Sequence, residues 1–162
     1  MWPLKAPIPH ADRHADWPEL TDHNHLVESA RTRTYNCIAW AYGLSDRRLW
    51  PGNPPPPGYT WPGDVTGADE FDMLKSLYVK DGYSECDGGA REEGYEKVAI
   101  YVNANGPQHA ALQLESGQWT SKLGGLEDIH HNTAEVLQGD FYGYPTAFLK
   151  RRRDQEEARP QI

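Results

Sequence analysis

"QHAALQLESGQWTSKLG", residues 108–124, reads as two β-strands around a turn at Ser116-Gly117, and its register decides which side chains share a face. A two-residue turn puts Thr120 and Lys122 on the face of His109; a three-residue turn puts Ser121 there instead. Upstream, "EKVAIYVN" (96–103) is a β-branched and aromatic run of strand length. Downstream, "NTAEVLQG" (132–139) reads as a short helix closed by Gly139, and "YGYPTAFLKR" (142–151) as a last strand. The C-terminal half is therefore expected to be an antiparallel sheet.

The N-terminal half carries a different period. In "RTRTYNCIAWAYGL" (31–44), Ile38, Trp40, Ala41 and Leu44 recur at helical spacing, with Asn36 as N-cap and a stop near Gly43. "DVTGADEFDMLKSLYVKDGY" (64–83) predicts a second helix, with Thr66 and Asp69 in capping-box spacing, Phe71, Leu74 and Tyr78 inward and a stop at Gly82. Between them "PGNPPPPGYTWPG" (51–63) is too rich in proline for helix or central strand and reads as an extended crossing. The fold class expected is α+β: an irregular arm over 1–24, one domain over 25–150, and a charged tail over 151–162 read as disordered.

Composition narrows the function. A net charge of −8 opposes a phosphate backbone, so nucleic acid is not expected as a partner. No apolar run approaches the roughly 20 residues of a membrane span, and the N-terminus lacks a signal-peptide core. A cytoplasmic protein, or one exported by a signal-peptide-independent route, is the expectation. Two cysteines, neither in a CxxC pair, make no disulfide framework, so each is judged as a free thiol.

Cys37 follows the N-cap, where free backbone N–H groups favour a thiolate. Among seven histidines, His109 alone opens an apolar strand, which makes it the candidate base. The other reading is a buried core cysteine with a hydrogen-bonded strand histidine. Asn36 is a possible second oxyanion donor beside the Cys37 N–H, although capping competes for its side chain. Lys122 is a candidate support for the thiolate, and Trp40, Trp61 and Trp119 are candidate walls of a substrate cleft. His10, His14, His23 and His25 have some metal-ligand spacings, but two lie in the proline-rich arm and no second Cys is near, so neither metal nor cofactor is expected. Cys86 sits among acidic residues and is read as non-catalytic.

Taken in order, "YNCIAWAYG", a linker, a helix, "KVAIYV" and "HAALQLESGQWTSKLG" resemble the NlpC-type papain-like cysteine peptidases and their CHAP amidase relatives. The resemblance covers about residues 25–150 and implies a Cys helix packed on an antiparallel sheet, a strand His, and a polar residue on the next strand that orients it. The twelve-residue spacing used in those families favours Ser121 as that residue, its hydroxyl accepting the imidazole Nδ1–H. The sequence departs from the family where Asn36-Cys37-Ile38-Ala39 replaces the usual Asp-Cys-Ser-Gly. The resemblance implies a thiol hydrolase acting on a peptide or protein, with peptidoglycan peptide as the usual substrate class. A papain-like binding module without turnover, or a toxin- or effector-associated partner protein, is the alternative.

Overall fold

In the computed structural model, which describes residues 17–153 with Pro7 ahead of them, seven strands and two helices follow one another. In chain order these are β1 (His25–Ser29), α1 (Cys37–Tyr42), α2 (Glu70–Lys80), β2 (Ser84–Cys86), β3 (Tyr95–Asn103), β4 (Gly106–Gln113), β5 (Trp119–Lys122), β6 (Asp128–His131) and β7 (Tyr144–Arg152). All ladders are antiparallel, and the sheet order is β1-β6-β5-β4-β3-β7-β2. The α+β class expected from the sequence is the architecture found.

Local chemistry fixes the two helices. Asn36 caps α1 by accepting the Ala39 N–H at 3.3 Å, and Gly43 ends it at φ 100°, a left-handed conformation that suits glycine. In α2 the cap is Asp69 itself, whose carboxylate accepts the Asp72 N–H at 2.8 Å, so Thr66 is not needed for it. Leu74, Leu77 and Tyr78 are fully buried, and Phe71 is half-buried at the edge of the same cluster.

Side-chain alternation along the central strands gives the sheet two apolar faces. Val98, Ile100, Ala110 and Leu149 face the helices and pack with Ile38, Ala41, Leu74 and Tyr78. Ala99, Tyr101, Ala111 and Ile129 face the other way, where Trp17, Leu20 and the 3-10 turn Ala134–Leu137 cover them. Residues 17–20 thus close the second core.

Three strands escaped the sequence reading. β6 is "DIHH", three titratable residues out of four, and β2 is a three-residue edge strand; neither has an apolar run to announce it. β1 puts a strand ahead of α1, so the sheet is not confined to the C-terminal half as expected. A tail starting at 151 also needs correction. Arg151 and Arg152 belong to β7, and Arg151 is fully buried, pairing with Asp81 at 2.9 Å and Glu96 at 2.6 Å. A guanidinium with two carboxylates is stable inside where a charge run read alone suggests solvent. Residues 154–162 lie outside the described residues. No helix among the described residues is long and apolar enough to cross a membrane.

Candidate functional site

The thiol of Cys37 sits at the start of α1, buried but bordering a cavity of about 310 Å³. Strand β4 pairs with β5 through only two residue pairs, Leu112 with Thr120 and Gln113 with Trp119, while β5 stays paired with β6 as far as Lys122 and Asp128. The N-terminal part of β4 therefore parts from β5, and α1 packs over both strands. The backbone N–H groups of Ala110, Ile38 and Cys37 favour the thiolate, and the Lys122 ammonium adds its attraction. Burial outweighs all four and pushes the thiol up to about 11.

His109 opens the same strand from the other face, with its ring stacked on Tyr142 at 4.2 Å and edge-on to Tyr101 at 5.0 Å. It is fully buried. The hairpin turn is the three-residue kind, with Leu114 bonded to Gln118 across Glu115-Ser116-Gly117. Ser121 accordingly shares the His109 face, its Oγ 3.0 Å from Nε2 of His109. The nitrogen that meets the hydroxyl is thus Nε2, not the Nδ1 expected from the sequence.

Hydrogen-bond logic fixes the proton positions from one end of this row to the other. His131 Nδ1 lies 2.8 Å from the Thr133 carbonyl, which only accepts, so Nδ1 carries the proton. Its Nε2, 2.8 Å from Ser121 Oγ, is then the acceptor of the Ser121 hydroxyl in the neutral ring. Ser121 has a lone pair left for His109, so Nε2–H of His109 donates to it. His109 Nδ1 is left as a bare lone pair, buried and without a hydrogen-bond partner. Burial and the neighbouring His131 hold His109 well below the ordinary imidazole range, and burial takes His131 down to about 4. Both rings are neutral at neutral pH, and no hydrogen bond joins Cys37 to His109 in this conformation.

The cavity joins the two faces at the end of the sheet. Trp17, Trp50, Tyr59, Phe141 and Tyr142 line it, with Cys37 and Gln108 as its polar edge. Residues 26–150 match a family described as a domain of unknown function, DUF7689. The chain belongs to that family. No curated protein and no solved structure matches it. The DUF7689 match contains Asn36, Cys37, His109, Ser121, His131 and Tyr142, and leaves Trp17 outside.

Several candidates within the DUF7689 domain have other work. The Asn36 side chain bonds Leu49 through both ends, Nδ2 to the carbonyl at 2.7 Å and Oδ1 from the N–H at 3.0 Å, besides capping α1. Its carbonyl end is committed to the backbone, and one of its two amide N–H groups is taken by Leu49. Lys122 lies on the helix side, fully buried, donating to the carbonyls of Thr32, Gly124 and Leu126 at 2.7, 2.6 and 2.5 Å. It holds the β5–β6 turn against the segment before α1, and burial takes its ammonium down to about 8.

None of the three tryptophans walls the cavity. Trp40 donates to Thr120 Oγ1 at 2.9 Å and stacks on Tyr35, Trp61 donates to the Val65 carbonyl at 2.8 Å, and Trp119 packs on Phe148 in the second core. The residues that do so come from the arm, the proline-rich crossing and the loop before β7, where no periodicity marks them. His131 and Thr133 were equally invisible, since only the β5–β6 register places them behind Ser121.

Of the histidines weighed for metal, His10 and His14 lie outside the described residues, and His25 donates from Nδ1 to the Thr21 carbonyl at 2.8 Å. Cys86 is half-buried, bonded to the Gly88 carbonyl, and does not border the Cys37 cavity.

Proposed function

We propose that the chain is a papain-like thiol hydrolase that cleaves an amide or ester through Cys37 and His109. The observation that carries this reading is the bare, buried Nδ1 of His109, held as a base by a hydrogen-bond chain that ends at the Thr133 carbonyl. A core histidine with no catalytic use gains nothing from an unpartnered nitrogen, whose burial costs about 1–3 kcal/mol.

The resting site holds a neutral thiol and a neutral imidazole, so the proton moves during attack and not before it. Cys37 Sγ forms a bond to the substrate carbonyl carbon as its proton passes to His109 Nδ1 through the opening where β4 leaves β5. The carbonyl oxygen takes the negative charge against the Cys37 N–H. His109 then gives the proton to the leaving nitrogen or oxygen, and the carbonyl–heteroatom bond breaks. Water attacks the thioester as His109 takes its proton, and the C–S bond breaks as His109 returns that proton to the sulfur, restoring the thiol and the neutral ring. Peptide and isopeptide bonds are the substrates this chemistry suits.

The test is acylation by p-nitrophenyl acetate. The expected result is a nitrophenol burst stoichiometric with protein, an acetyl group on Cys37 by mass spectrometry, and a burst rate about 100-fold lower in His109→Gln, read at a temperature where the variant stays folded. The burial of Cys37 supports the other reading, a binding module without turnover; an equal rate in wild type and His109→Gln decides for it.

A further inference from the structure

In a chain with 24 acidic and 16 basic side chains, a guanidinium without an acidic partner is conspicuous. Arg31, Arg47, Arg151 and Arg153 pair with carboxylates, as do Lys75, Lys80, Lys97 and Lys150. Arg33 and Arg48 have no hydrogen bond or ion pair from their side chains among the described residues, and both line one groove. That groove, about 250 Å³, shares Asn36, Tyr59 and Gly124 with the Cys37 cavity and has no acidic residue in its lining.

Both arginines are laid in place by neighbours. The Arg48 guanidinium stacks 4.7 Å over the Tyr59 ring, and a Cβ at Gly58 would fall 2.5 Å from its Nη2. Arg33 runs along Gly125, where a Cβ would stand 3.4 Å from its Cγ. The apolar cavity holds no charged lining residue, and the two guanidiniums line the groove that adjoins it. Two unpaired guanidiniums present planar forks that match a carboxylate.

We infer that Arg33 and Arg48 form an anion subsite adjoining the Cys37 cavity, and that the substrate is an amide with a bulky apolar acyl group and an amine side ending in a carboxylate. This rests on the hydrolase reading for the word substrate alone; the binding site stands without turnover. The apolar group fills the space between Trp50, Phe141 and Tyr142, the scissile carbonyl lies at Cys37, and the carboxylate crosses Tyr59 to the guanidiniums.

The experiment uses the full chain carrying Cys37→Ala, titrated calorimetrically with phenylacetyl-glycine and phenylacetyl-diglycine and with their neutral carboxamides. The expected result is at least about tenfold tighter binding of one of the carboxylates over its carboxamide, a preference abolished in Arg33→Gln/Arg48→Gln and weakened in Arg33→Gln alone, an exposed position whose change leaves folding intact. Equal binding of acid and amide, a preference that survives the double substitution, or no binding of any probe overturns the subsite. Binding as expected combined with a wild type that shows no acylation at Cys37 upholds the subsite and overturns the hydrolase.

Discussion

The hydroxyl of Ser121 lies 3.0 Å from Nε2 of His109, twelve residues before it, and their bond fixes which nitrogen of the ring is bare. Ser121→Ala leaves a buried N–H without an acceptor and His131 Nε2 without a donor. The expected loss is about 1–3 kcal/mol of stability by urea denaturation, with acylation of Cys37 slowed about 10-fold or more because His109 is free to change tautomer. Nitrogen chemical shifts check the cause directly: wild-type His109 shows a protonated Nε2 and an unprotonated Nδ1, and the Ser121→Ala ring does not hold that state.

That relationship was half legible in the chain. Strand alternation placed Ser121 on the His109 face once the turn had three residues, but a Ser-Gly pair does not reveal whether two or three residues turn. The Cys helix was readable from Asn36 and Gly43, which are local signals. The third member of the row, His131, was not, because β6 has no apolar pattern and is held by pairing with β1 and β5 on its two sides. The cavity walls were least legible, since Trp50, Tyr59 and Phe141 converge from loops whose path is a tertiary property. Large aromatics in regular elements, Trp40 and Trp119, went into the cores instead.

The thiol pKa makes a separate prediction with a definite sign. Burial raises Cys37 to about 11 from an ordinary value near 8.5, so about one molecule in a thousand is thiolate at pH 8. Iodoacetamide labelling in the Cys86→Ser protein should rise about tenfold per pH unit from 7 to 10, with no acid limb. Fast labelling below pH 6 would instead mean a preformed thiolate–imidazolium pair. The unfolded thiol ionises first, so this group's contribution to stability is complete below about pH 8.5 and is lost as pH rises towards 11. The urea midpoint should fall across that window in wild type and less in Cys37→Ser.

At the acid end the sign reverses. His131 titrates at about 4 when folded and about 6.5 when unfolded, so the unfolded chain binds the proton first as pH drops. Stability from this group is complete above pH 6.5 and declines by about 3 kcal/mol by pH 4. His109, shifted in the same direction, steepens the decline. Urea midpoints of wild type and His131→Gln should therefore converge as pH falls from 7 to 4, and parallel curves would show that the ring is already charged in the fold.

Arg151 separates stability from activity. Its guanidinium, fully buried in β7, faces Asp81 at 2.9 Å and Glu96 at 2.6 Å, donates to the Asp81 carbonyl at 2.9 Å and stacks 4.7 Å over Tyr83. Arg151→Met keeps most of the side-chain volume but strands two carboxylates in the core, at an expected cost of about 3–5 kcal/mol. Adding Asp81→Asn and Glu96→Gln removes the stranded charges, so the triple variant should recover part of that loss in the same urea titration. Arg151 does not line the Cys37 cavity, so at a temperature where each variant stays folded the acylation rate should match wild type. A slowed rate in a folded Arg151→Met protein would mean that the ion cluster sets the position of β3, which carries Glu96, and with it the placement of His109 on the neighbouring β4.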